Sequence, residues 1–126
     1  MDDAIRRALS KGEVIDITTT GRTSGEPRRI EIVFHVIDGR IWISGMPRAE
    51  RRSWIANLEA DPRLTFHLKR SVTADLPATA RIIDDPDERR RVLTGVARAW
   101  NRTDIDAMVA NSPLVEVVIE GYSPAP

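Results

Sequence analysis

Cysteine is absent from this chain, which removes disulfides, thiolate metal ligands and cysteine nucleophiles together. Histidine is nearly absent, and His35 and His67 are too few for a histidine-built metal centre. Neither sign of charge is in excess, since 19 Lys and Arg offset 19 Asp and Glu. That balance argues against a general nucleic-acid binder, which carries a basic surplus. No apolar run reaches the roughly 20 residues that span a bilayer, and the acidic opening Met1-Asp2-Asp3 is no signal peptide. There is no Ser-His-Asp order, no paired-carboxylate pocket and no Walker-type loop. What remains is a cytoplasmic globular chain of 126 residues, read as one domain over residues 1–126, whose chemistry comes from a cofactor if it is an enzyme.

The elements follow from periodicity and punctuation. Ile5 and Leu9 predict a short helix over Asp3 to Lys11, stopped by Gly12. Glu13 to Thr19, Arg28 to Ile37 and Arg40 to Ser44 predict three strands, the last two joined by Asp38-Gly39. A type I′ hairpin turn requires positive φ at both of its central positions, and Asp-Gly meets that need. In the second strand Ile30, Ile32, Phe34 and Val36 share a core face. Arg29, Glu31, Val33 and His35 share the other, which suits a cavity wall or a subunit interface.

A charged helix is predicted over about Arg48 to Ala60, ended by Asp61-Pro62. Arg63 to Lys69 and Pro77 to Asp84 predict strands. Asp85-Pro86-Asp87-Glu88 opens a helix running to about Trp100, with Asp85 as N-cap. A short helix over Asp104 to Ala110, a strand over Leu114 to Glu120 and a Ser123-Pro-Ala-Pro tail complete the chain. About six short, mainly antiparallel strands with three or four helices make an α+β chain whose sheet curls into a barrel or half-barrel.

Two segments carry chemistry. Thr20-Gly21-Arg22-Thr23-Ser24-Gly25-Glu26-Pro27-Arg28-Arg29 is a glycine-punctuated turn with three arginines and, between its glycines, two hydroxyls. Guanidinium forks, hydroxyls and backbone N–H groups suit phosphate or carboxylate. Taken alone, the turn fits an anion cradle and a solvated polar hairpin equally. Gly45-Met46-Pro47-Arg48-Ala49-Glu50-Arg51-Arg52 lies where a strand hands over to a helix, and helix N-termini favour anions. The two segments hold six arginines against two glutamates, enough for a basic groove that takes an elongated anion. Trp54, Ile55 and Leu58 recur at helical spacing, so core packing is their default role, and Asn57 suits either a ligand or a neighbouring loop.

Together the segments resemble the signature of the deazaflavin-dependent nitroreductase family of flavin/deazaflavin oxidoreductases, which have an FMN-binding-like split β-barrel. The second part of the resemblance is Gly45-Met46-Pro47 followed by Trp54-Ile55-Ala56-Asn57-Leu58-Glu59-Ala60-Asp61-Pro62, and the whole covers Ile15 to Leu68. It implies an oxidoreductase that uses reduced coenzyme F-420, a deazaflavin with a phosphate and a polyglutamate tail. Hydride would pass to a small unsaturated, quinone-like or nitro acceptor. Carried over by position, Arg22, Thr23 and Ser24 hold the tail, and Arg28 and Arg29 reach the phosphate. The backbone of Ile30, Glu31, Ile32 and Val33 runs beside the ring. Ser44, Gly45, Met46, Pro47 and Arg48, with Trp54, Ile55, Asn57 and Leu58, close the other side. Departures are a longer, more basic stretch between Pro47 and Trp54, and valine at position 33 where some relatives have tyrosine. The short charged N-terminal helix speaks against membrane insertion. Split barrels also host FMN, so an FMN-dependent oxidoreductase and a non-catalytic flavin, deazaflavin or haem carrier are the rival readings. Such barrels commonly pair, and the Val33/His35 face suits part of a homodimer contact.

Overall fold

The computed structural model describes residues 1–123; the tail read from the sequence lies outside the described residues from position 124 on. Six strands close into an antiparallel barrel: β1 (Val14–Thr20), β2 (Pro27–Ile37), β3 (Arg40–Ser44), β4 (Arg63–Lys69), β5 (Thr73–Ile82) and β6 (Leu114–Ile119). The order around the barrel is β1-β2-β3-β6-β5-β4. Four helices decorate it: α1 (Asp3–Leu9), α2 (Ser53–Ala60), α3 (Pro86–Ala99) and α4 (Ile105–Asn111). Among the described residues no helix is long and apolar enough to cross a membrane.

The strands form because β-branched and aromatic residues alternate, and the alternation sorts them between two cores. Ile15, Ile17, Phe34, Ile41, Ile43, Phe66, Leu68, Val115 and Val117 fill the barrel interior. Phe34 and Phe66 meet edge to face there, with ring centroids 5.2 Å apart. Trp42 points outward from the same strand that sends Ile41 and Ile43 inward, and it packs with Val92, Leu93, Val96 and Met108 of α3 and α4. Its indole N–H donates to the Ile37 carbonyl at 3.0 Å, so this large outward ring keeps its polar atom satisfied.

The turns behave as their residues require. Asp38 and Gly39 take φ of 56° and 73°, the double positive φ of a type I′ turn. The Asp85 carboxylate accepts the Glu88 N–H at 2.9 Å, and Pro86 opens α3. Two boundaries move from the sequence expectation. β5 begins at Thr73, because its pairing with β4 runs through to Lys69↔Thr73 despite Pro77. α2 begins at Ser53, five positions after Arg48, because the preceding loop is bonded elsewhere.

Candidate active site

β1 and β2 converge until Thr20 pairs with Pro27, and the glycine turn closes the end. The Gly21 N–H donates to the Glu26 carbonyl and the Gly25 N–H to the Gly21 carbonyl, both at 2.8 Å. Gly25 has φ of +70°, a region where side chains are strained. A Cβ at Gly21 would lie 2.6 Å from the Ser24 Oγ and 3.2 Å from the Glu26 carbonyl, so the serine side chain would have to leave its place over the turn. That hydroxyl accepts from the Glu26 N–H at 3.1 Å and from an Arg28 guanidinium nitrogen at 3.4 Å. The arginine therefore folds back over the turn.

Asn57 on α2 fixes the turn from the other side. Its Oδ1 accepts the Arg22 backbone N–H at 3.0 Å, and its Nδ2 donates to Thr19 Oγ1 at 3.1 Å. The amide is 6% exposed, and both partners are satisfied inside the fold. Trp54 and Leu58 bury beside it in the barrel core and set the height of α2.

Between the turn and the start of α2 lies a cavity of about 580 Å³. Arg22, Thr23, Ser24, Arg28, Ile30, Trp54 and Asn57 line it, and all seven belong to the set expected from sequence. Thr19, Gly21 and Ser53 line it too and were missed. For Thr19 the sequence holds a signal: the inward row of β1 runs Ile15, Ile17, Thr19, ending on a hydroxyl where an aliphatic residue would complete the core. Arg22 and Arg28 form no ion pair among the described residues, unlike Arg29 and Arg51 nearby. The first turn of α2 also keeps free N–H groups, since its N-cap Arg52 offers no side-chain bond. Two guanidiniums without ion pairs, four hydroxyls and a helix start fit phosphate and carboxylate groups, and no carboxylate side chain lines the cavity.

The other sequence-proposed residues fall elsewhere. Arg29 points to the barrel exterior and pairs with Asp16 at 2.9 Å. Glu31 shares that face and pairs with Lys69, which also binds Asp16 at 2.7 Å. These partners hold Asp16 below the usual carboxylate range, Lys69 contributing most. Ile32 packs against the barrel core, and Val33 lines a separate cavity of about 320 Å³ with Lys11, His35 and Trp100. Ser44 is buried and its hydroxyl donates to the Pro113 carbonyl at 2.7 Å. Gly45 lets the Arg52 guanidinium approach, with a Cβ there lying 3.1 Å from Nη2. Met46 is half exposed, and its carbonyl accepts from Arg52. Pro47 sits in the same loop. The Arg48 N–H donates to the Asn111 carbonyl at 3.2 Å. Arg48 and Ile55 line a third cavity, on the far side of the α2 start.

Neither histidine lines the 580 Å³ cavity. His67 shares hydrogen bonds with Thr18 Oγ1 at 2.7 Å and Asp75 at 2.6 Å, tying β1, β4 and β5 together. His35 lies edge-on to Trp100, and burial pushes its pKa below the ordinary value.

The six-stranded antiparallel barrel with its helices is a split-barrel α+β fold, and solved structures share it. A conserved hypothetical protein of Mycobacterium tuberculosis matches at 25% identity with a TM-score of 0.71, over 95% of this chain and 81% of that one. An F420-H2 dependent reductase matches at 19% identity and TM-score 0.60, over 83% and 93%. A haem storage protein of Vibrio cholerae matches at 14% and 0.65, over 93% and 86%. Residues 2–120 match the family described as F420H(2)-dependent quinone reductase, and the chain belongs to that family.

Proposed function

We propose that the chain binds coenzyme F-420 in the 580 Å³ cavity and reduces a small quinone-like, unsaturated or nitro acceptor. One observation carries this reading. Arg22 and Arg28 face a cavity without a carboxylate of their own, on a turn that Asn57 holds rigid. A phosphate and a polyglutamate tail supply the missing anions. Arg28 lies back over the turn toward Ser24, where its guanidinium would meet the phosphate end. Arg22, Thr23 and Ser24 take the tail, and Ile30 and Trp54 give the ring an apolar wall.

When bound in its reduced form, F-420 supplies the hydride. The chain's own work is orientation: a clamped turn and a buried Trp54 fix where the ring lies relative to the acceptor. Val33 brings no hydroxyl, so the proton that completes reduction comes from solvent or from another group. The reading is tested by titrating the purified chain with F-420, FMN and haem while ligand absorbance and fluorescence are followed. Saturable micromolar binding of F-420, with turnover of its reduced form on menadione, is the expected outcome. Preferential binding of FMN or haem would contradict it.

A further inference from the structure

Thr18, His67 and Asp75 form a hydrogen-bonded line across β1, β4 and β5 on the outer face of the barrel. Thr18 Oγ1 lies 2.7 Å from His67 Nε2, and His67 Nδ1 lies 2.6 Å from Asp75 Oδ1. The three stand 49 and 8 positions apart in sequence, so only the strand pairing brings them together. The bond from His67 holds the Asp75 carboxyl below its usual range, and the charge of Arg29 adds to the effect. An ionised carboxylate only accepts, so Nδ1 carries the imidazole proton and Nε2 accepts from the Thr18 hydroxyl. A hydroxyl, a base and a carboxylate that orients the base are the parts of nucleophilic acyl transfer, which recur on unrelated folds in any chain order.

The fold does not depend on these side-chain bonds. Backbone ladders already join β1 to β4 from Ile15↔Leu68 to Thr18↔Thr65, and β4 to β5 from Arg63↔Thr79 to Lys69↔Thr73. His67 is 7% exposed, so packing as well as bonding fixes its ring. Thr18 stays within reach of a small molecule, because it lines a cavity of about 400 Å³ with Pro27, Arg63, Leu64 and Thr65. Across the ladder from Thr18 stands Arg29. Its Nε is bonded to Asp16, and its terminal nitrogens have no hydrogen-bond partner among the described residues. A guanidinium placed there can take up negative charge that develops on an acyl oxygen.

We propose that Thr18 is the nucleophile of a second catalytic site, an esterase site for small activated carboxylic esters. His67 is its base, Asp75 positions that base, and Arg29 holds the oxyanion. Thr18 Oγ1 attacks the ester carbonyl carbon, and its proton passes to His67 Nε2. The bond from that carbon to the leaving alcohol oxygen then breaks, and His67 gives the proton to the departing oxygen. Water attacks the acyl-threonine and gives a proton to His67, which returns it to Thr18 as the carboxylic acid leaves. Thr18 does not line the F-420 cavity, so this chemistry is independent of cofactor binding.

The probe is p-nitrophenyl acetate, given to the purified full chain without F-420 while nitrophenolate release and the masses of acid-quenched peptides are followed. The expected result is release above the buffer rate and a single acetyl group on the peptide that carries Thr18. Thr18→Val and His67→Gln should each cut the release above background by about 100-fold, the scale of a lost catalytic base. Thr18→Ser keeps the hydroxyl and should still be acetylated. Asp75→Asn should lower kcat roughly 10-fold or more with KM unchanged, which marks a group that orients the base and does not hold the ester. Release at the buffer rate, acetyl groups confined to lysines, or full activity in Thr18→Val or His67→Gln would each overturn the proposal.

Discussion

Asn57 holds Arg22 by its backbone, not its side chain: the amide oxygen takes the Arg22 N–H at 3.0 Å, leaving the guanidinium free to face the cavity. The same amide donates to Thr19 at 3.1 Å, so one buried side chain sets the turn's position relative to the barrel. Replacing Asn57 by Leu keeps the approximate volume and strips both bonds. The buried Thr19 hydroxyl then loses its partner, at about 1–3 kcal/mol, and the part-buried Arg22 N–H loses the bond that fixes the turn. Urea unfolding should show a loss of about 2 kcal/mol or more, with F-420 affinity falling alongside it. Full stability in the variant would remove the clamp from the account.

Arg28 tests the site without testing the fold. Its side chain is exposed and its bond to Ser24 is long at 3.4 Å, so Arg28→Ala should leave the urea midpoint within error. F-420 affinity should drop by more than about 1 kcal/mol, the scale of a charge-assisted hydrogen bond, and the salt dependence of binding should flatten. Unchanged affinity would take Arg28 out of the pocket.

His35 sets a pH dependence with a definite sign. Its folded-state pKa is lowered by burial, so the unfolded chain takes up the proton first. The stability that neutral His35 contributes is fully present above about pH 6.5 and is lost as pH falls from there toward the folded pKa. Unfolding free energy measured from pH 7 down to 5 should decline, and His35→Gln should flatten that part of the curve. Identical slopes in the two proteins would assign the decline to other groups.

The start of α3 rests on one side chain. Asp85 accepts the Glu88 N–H at 2.9 Å ahead of Pro86, and Asp85→Ala should cost about 1 kcal/mol in chemical unfolding. F-420 binding should not change, since α3 lines neither the turn nor the α2 side of the cavity.

What was legible in the sequence is what local chemistry decides. Asp38-Gly39 and Asp85-Pro86 carry their conformations in their residue types. The failures have a common cause in distant contacts. Arg48 to Arg52 has helix-forming composition, yet it forms a loop because Arg48 bonds Asn111 and Arg52 bonds Met46. β5 extends back past Pro77 because Thr73 finds a partner in Lys69 across the hairpin. In the site, the arginines and hydroxyls were visible as a cluster. The role of Asn57 was left open, because its partners stand 35 and 38 positions earlier. Arg29 and Glu31 illustrate the same limit. The alternation put them together on one face, but only the fold shows Asp16 and Lys69 already paired with them.

The central claim is that the turn and α2 form a cavity for a tailed deazaflavin. Equilibrium titration with F-420, wild type against Arg28→Ala, with FMN as the competing ligand, tests it most directly. Saturable wild-type binding of F-420 that weakens roughly 5-fold or more in the variant, with FMN failing to compete, is the predicted result. Equal affinity in both proteins, or displacement of F-420 by stoichiometric FMN, would contradict it.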